Sequence, residues 1–190
     1  LQVGNDFYNW ENVTSTQSLE NKYLPIPKVE WKCGDLNFYV EAFANGEANK
    51  NSTLFIKYTL TNNSSSVKDG KLFLMIRPFQ VNPHYQWLND PGGVGKINSL
   101  YEKDGKIYVN EDKVLIPLEK YDSFGAISFD EGNLVKLIKE NITLKNKSVI
   151  DDNKLASGVL EYSFNLKSGE EKNIYLAVPF YGEASVKENL

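Results

Sequence analysis

Residues 35–44 alternate without a break. Leu36, Phe38, Val40, Ala42 and Ala44 fall on one side, and Asn37, Tyr39, Glu41 and Phe43 on the other. A period of two is the mark of a β-strand that buries one face. Asn45-Gly46 then closes the run as a turn. The same pattern recurs along the chain. In 52–62, Leu54, Ile56, Tyr58 and Leu60 oppose Phe55, Lys57 and Thr59. Residues 156–166 carry Val159, Tyr162, Phe164 and Leu166, and 172–180 carry Ile174, Leu176, Val178 and Phe180, with a turn at Ser168-Gly169 between them. Pro25 and Pro27 lead into 28–32, where Val29 and Trp31 share a face. Asp104-Gly105 between 97–101 and 106–109 is the strongest hairpin signal in the chain. Residues 114–118, 123–129 and 148–150 read as further strands. One segment, 130–141, has helical spacing, with Leu134, Leu137 and Ile138 on one side and Asp130 or Asn133 as the cap.

Roughly ten strands with turn signals about every 8–12 residues define an all-β protein. Its natural form is a two-layer antiparallel β-sandwich with one short helix. The chain has 190 residues, which fits one such domain. Residues 1–25 are polar and aperiodic and read as an N-terminal arm in which Phe7, Tyr8 and Trp10 are the packing groups. The sandwich spans 26–182, and 183–190 read as a linker to a further domain. No signal peptide is visible. The start at Leu1 suggests a processed chain or an excised domain.

Residues 72–95 join core-type and site-type residues most closely. Leu72, Leu74 and Ile76 lie on one face and Phe73, Met75 and Phe79 on the other, as in a strand between two packed layers. The strand is expected over 71–81, with an edge or bulge at Pro78, which has no N–H for the ladder. A loop follows that crowds Gln80, Asn82, His84, Tyr85, Gln86, Trp87 and Asn89 beside Arg77. Aromatic rings pack on the C–H face of sugar rings while amides and a guanidinium bond hydroxyls, so direct sugar contact is one reading. Two others stand beside it. Arg77 and Gln80 can satisfy the loop's own backbone, or the aromatic loop can pack on a partner domain.

Several function classes are disfavoured. Net charge is −4 and there is no block of Lys or Arg, so nucleic acid finds no electrostatic footprint. No run of about 18 apolar residues forms a spanning helix, and no membrane partner is expected. One His and one distant Cys do not supply a zinc site, and calcium-loop spacing is missing, so no metal is expected. Gly92-Gly93-Val94-Gly95 lacks the Lys-Ser/Thr ending of a phosphate loop, and no cofactor is expected. Cys33 is the sole cysteine, so no intrachain disulfide forms, which leaves a periplasmic or secreted location open. Glycoside hydrolysis needs two carboxyl groups about 5–9.5 Å apart. Most of the Asp and Glu residues, Asp151 among them, sit beside Lys or in turns and read as solvated. Asp90, Asp122, Asp130 and Glu131 are the better placed, and no catalytic residue is assigned.

The run IRPFQVNPHYQWLNDPGGVGKI (76–97), with VEW and DLNFYVEAFA upstream, resembles a bacterial family of large carbohydrate-active proteins. Phe124-Gly125-Ala126, Phe129-Asp130-Glu131-Gly132, Ala156-Ser157-Gly158 and Val178-Pro179-Phe180 extend the resemblance in consistent order. In that family a β-supersandwich, similar to galactose-mutarotase-like domains, is joined to an α/α-toroid catalytic domain, and some members carry discoidin-type modules. The resemblance implies a non-catalytic accessory role beside a glycosidase-type site outside this chain. The implied partners are that toroid domain and an oligo- or polysaccharide. An independent carbohydrate-binding module and a mutarotase-like enzyme using His84 with a carboxylate are the alternatives.

Overall fold

The computed structural model describes residues 1–47, 50–79 and 95–180. The chain is an all-β sandwich: two antiparallel sheets and, among the described residues, a single short α-helix. The first strands are β1 (Gln2–Val3), β2 (Asp6–Phe7), β3 (Thr14–Leu19), β4 (Pro27–Cys33), β5 (Leu36–Asn45), β6 (Thr53–Asn62) and β7 (Lys68–Ile76). Then come β8 (Ser99–Lys103), β9 (Lys106–Val109), β10 (Lys113–Pro117) and β11 (Ser123–Ile127). Helix α1 (Leu134–Lys139) precedes β12 (Ser148–Ile150), β13 (Ser157–Leu166) and β14 (Glu171–Pro179). These elements form two units. One takes Leu1–Phe73, Lys113–Asp122 and the chain from Glu161; the other takes Leu74–Asp112 and Ser123–Leu160.

In the first unit the sheet order is β10-β14-β6-β5-β4-β3. Antiparallel register puts Trp31 opposite Phe38 and Phe38 opposite Leu60. Ile174 stands opposite Tyr58 and Leu176 opposite Ile56. Pairing therefore gathers on one face the apolar sets that alternation defines in each strand. Burial along that face is uneven. Cys33, Leu36, Phe38 and Leu60 are buried, Val40 and Ala42 are half-buried, and Ala44 and Leu54 are exposed. Burial pushes the Cys33 thiol up to about 11, so it carries no thiolate at neutral pH. On the opposite face Phe55 and Ala177 are buried with Ile116 and Leu118 packed on them.

The first 25 residues are more regular than their polarity indicates. Strand β3 pairs with β4 from Thr14↔Lys32 to Leu19↔Pro27. All six of its residues are exposed. An edge strand with no buried face has no reason to alternate, so periodicity gives no warning of it. Strand β1 pairs with β7, Gln2 opposite Lys71. Phe7 stacks on Phe73 at 6.3 Å between centroids, and Trp10 meets Trp31 edge-on at 4.7 Å. Strand β7 begins three residues before the expected start and ends at Ile76, before Arg77. Only its Leu72 is fully buried, and the other apolar residues of β7 are half-buried.

Polar groups inside this unit are handled in two ways. Asn62 is buried, and its amide NH2 faces the carbonyls of Ser66, Leu166 and Lys167 at 2.8–3.1 Å. Its Oδ1 accepts from the backbone N–H and hydroxyl of Ser64. The Tyr162 hydroxyl, by contrast, is buried without a hydrogen-bond partner, and burial raises its pKa.

In the second unit β8 and β9 form the expected hairpin, with Asp104 and Gly105 both at positive φ, as a two-residue turn of this kind requires. Strand β12 pairs with the other edge of β8. Gly125 in β11 allows a close approach: a Cβ there would lie 2.3 Å from the Leu144 Cβ. The helix is shorter than the 130–141 expected. Asn133 is its cap, its Oδ1 accepting from the N–H groups of Val135 and Lys136, and Leu134 and Ile138 are buried.

Two stability measurements follow from this packing. Leu60→Ala should lower unfolding free energy by about 2–5 kcal/mol, because Leu60 is 1% exposed. Leu54→Ala, on the same face but 39% exposed, should cost less than about 1 kcal/mol. Urea denaturation of the two variants checks the burial gradient. Tyr162→Phe removes a buried hydroxyl with no partner and should leave stability unchanged or raise it by about 1 kcal/mol. A clear loss in the same assay would show that the hydroxyl is bonded after all.

Candidate functional site

Strand β7 stops where the sequence supplies Arg77-Pro78, since Pro78 has no N–H to continue a ladder. Phe79 follows, and its carbonyl accepts the Gly95 N–H at 3.2 Å. That bond closes the base of the 80–94 segment. Two residues on, Ile97 makes an isolated parallel bridge with Leu155. The Ile97 N–H donates to the Lys154 carbonyl at 2.9 Å, and the Ala156 N–H to the Ile97 carbonyl at 3.1 Å. Strand β7 is thereby followed by a segment anchored on 151–156.

Asp151 ties this anchor to the turn before α1. Its carboxylate accepts the Leu155 N–H at 2.9 Å, the Asn153 N–H at 3.2 Å and the Phe129 N–H at 3.3 Å. Asp151 is 4% exposed. The expectation of a solvated turn residue is therefore overturned. Its place next to Asp152, Asn153 and Lys154 looks like a surface turn. The backbone instead folds over it, and three N–H donors replace the water a carboxylate would otherwise hold.

The adjoining acidic residues are similarly committed. Glu131 accepts the Ser128 N–H at 2.7 Å and the Ser128 hydroxyl at 3.0 Å through one oxygen, and the Asn146 amide at 3.3 Å through the other. Asp130 accepts the Asn153 amide at 3.5 Å. Asp122 belongs to the first unit, where the Ser163 N–H holds its carboxyl below the usual carboxylate range. Each of these three candidates holds backbone or side-chain donors in place. Asp90 lies outside the described residues.

A pocket of about 420 Å³ opens between these segments. Arg77 and Pro78 line it from the end of β7, Ser128 and Phe129 from the turn, Gly132, Asn133 and Leu134 from the helix start, and Leu155 and Ser157 from the anchor. All of these residues belong to the second unit. Its size falls within the range of small-molecule sites, roughly 300–1,000 Å³. Arg77 is the one sequence-predicted site residue that the structure describes, and it lines the pocket. Gln80, Asn82, His84, Tyr85, Gln86, Trp87 and Asn89 lie outside the described residues.

Phe129, Asn133 and Ser157 were not singled out as site residues by the sequence. Phe129 lies two residues beyond the end of β11 and is 57% exposed. The available signal was the Phe129-Asp130-Glu131-Gly132 string, a turn composition that carries a large aromatic where a polar residue is usual.

No family model matches the sequence, and no curated protein matches it. Among solved structures, a chain described as "Putative kojibiose phosphorylase from human microbiome" is similar at a TM-score of 0.47 and 11% identity. The alignment covers 93% of this chain and 21% of that one. This chain therefore spans about a fifth of the length of the structure it matches.

Asp151→Ala should cost on the order of 3 kcal/mol, because it leaves buried N–H groups without an acceptor. The amides of Phe129 and Leu155 should exchange with solvent faster than in the parent. Asp151→Asn, which keeps one acceptor oxygen, should fall between the two. Hydrogen exchange with a urea titration reads both effects. Unchanged protection at Phe129 would refute the tie between the turn and the anchor.

Proposed function

We propose that this chain is a non-catalytic β-sandwich accessory domain of a larger carbohydrate-processing protein. It sits beside an α/α-toroid catalytic domain of the same polypeptide and shapes the rim of that domain's substrate cleft. The sequence resemblance over 25–182 supplies the class. The observation that carries the placement is apolar exposure around the Arg77 pocket. Phe79 is 73% exposed, Phe129 57% and Ile150 81%. Phe79 follows the pocket-lining Pro78, Phe129 lines the pocket, and Ile150 precedes Asp151. Large apolar side chains grouped on one set of segments mark a surface that meets another body. Exposed aromatic residues are frequent anchors of such a contact.

A second reading, an independent carbohydrate-binding module, is favoured by the pocket itself, which combines an exposed ring with polar groups. The two readings differ in what Phe79 and Ile150 do. In an accessory domain they are covered by the neighbour; in an independent module they stay in water.

The full-length protein separates them. Phe79→Ser combined with Ile150→Ser should leave the melting temperature of this chain alone nearly unchanged, since both residues are exposed. In the full-length protein the same pair should uncouple the melting of this domain from its neighbour, splitting one calorimetric transition into two. Identical coupling in parent and variant would exclude docking through this face. Glycoside turnover by this chain alone would exclude the non-catalytic role.

A further inference from the structure

The polar groups that line the Arg77 pocket are unevenly supplied with partners. Ser128 is engaged by Glu131. The Oδ1 of Asn133 is used by the helix start. Among the described residues, no hydrogen bond or ion pair engages the Arg77 guanidinium, the Asn133 amide nitrogen or the Ser157 hydroxyl. A guanidinium offers five N–H donors and no acceptor, and an amide NH2 offers two donors. A hydroxyl turns either way. The pocket therefore presents an excess of free donors.

Arg77 is the one charged side chain among the described residues of the lining. The nearby carboxylates keep their charge, but the bonds they make go to other donors. Glu131 is turned onto Ser128 and Asn146, Asp130 onto Asn153, and Asp151 onto three backbone N–H groups. Beside the donors stands the exposed Phe129 ring, an apolar surface of the kind that packs against the C–H face of a pyranose.

From this arrangement we propose that the pocket binds a sugar unit bearing an exocyclic oxyanion, either a uronate carboxylate or a sulfate ester. Arg77 takes the oxyanion through paired N–H donors, as guanidinium does with planar carboxylates and tetrahedral oxyanions. The Asn133 amide and the Ser157 hydroxyl meet ring oxygens, and Phe129 covers one face of the ring. The proposal rests on the accessory-domain reading only in taking the ligand to be a saccharide. It names the acidic glycan that would lie along the rim.

Calorimetric titration of this chain and of the full-length protein tests it, using a digalacturonate, a sulfated disaccharide and a neutral galactose disaccharide as probes. The uronate or the sulfate ester should bind roughly tenfold or more tightly than the neutral sugar, and whichever binds tighter identifies the oxyanion. Arg77→Gln should abolish that preference by weakening the charged probe far more than the neutral one. Phe129→Ala should weaken all three. Arg77 is exposed, so the melting temperature of Arg77→Gln should match the parent and separate lost binding from lost folding. Equal affinity for charged and neutral probes, no binding of any probe, or binding indifferent to Arg77→Gln would each overturn the proposal. Domain docking is read from calorimetric coupling and oxyanion binding from titration, so either can fail while the other stands.

Discussion

A carboxylate taken out of water must find donors or a counter-charge, and the second unit is built around one that finds donors. Asp151 is 4% exposed and accepts three backbone N–H groups. Leaving such a group buried alone would cost several kcal/mol. The bonds that offset this fix Phe129 and Leu155 with respect to each other. Both are pocket walls. The pocket's shape is therefore set by the same interaction that makes burial of Asp151 tolerable, and not by side-chain packing alone. That arrangement suits a site on a turn, where few apolar contacts are available to hold geometry.

The first unit uses a different device. One apolar face runs through β4, β5, β6 and β14, yet its burial fades from Leu36 and Leu60 to Ala44 and Leu54. Stability is concentrated at one end, where Trp10, Trp31 and Phe38 meet edge-on and Phe38 stacks over Tyr58 at 6.1 Å. Burial pushes the Tyr58 phenol up to about 12, so it stays neutral across ordinary pH. The unbonded Tyr162 hydroxyl departs from the rule that buried polar groups are satisfied. A ring that size fills the space between strands, and its apolar area outweighs one lost bond.

Legibility in the sequence followed the physics of each element. Strands with one buried face, such as 36–45 and 53–62, declared themselves because side chains must alternate. The hairpin at Asp104-Gly105 declared itself because few residues accept positive φ. Strand β3 did not, since an edge exposed on both sides leaves no hydrophobic signal. The helix starts late in the expected segment because Asn133, one of the two caps the sequence offers, captures the first free N–H groups. Asp151 has the sequence neighbours of a surface turn, while its burial comes with the turn at Phe129, 22 residues away. Arg77 stands out in the sequence by its crowding with other site-type residues, and it lines the pocket. Phe129, Asn133 and Ser157 do not stand out, because only tertiary structure brings them to Arg77.

This last point bears on what the Arg77 segment is for. A guanidinium is charged at any accessible pH and is cheaply solvated at the surface, so leaving it unpaired costs the fold little. At the base of the segment that follows, the Phe79 carbonyl is taken by the Gly95 N–H, and that of Lys154 by the Ile97 N–H. Arg77 has a place in the wall of a pocket, and no carboxylate among the described residues pairs with it. Among the described residues, backbone bonds and Asp151 hold the pocket's walls, and the guanidinium is left unpaired there.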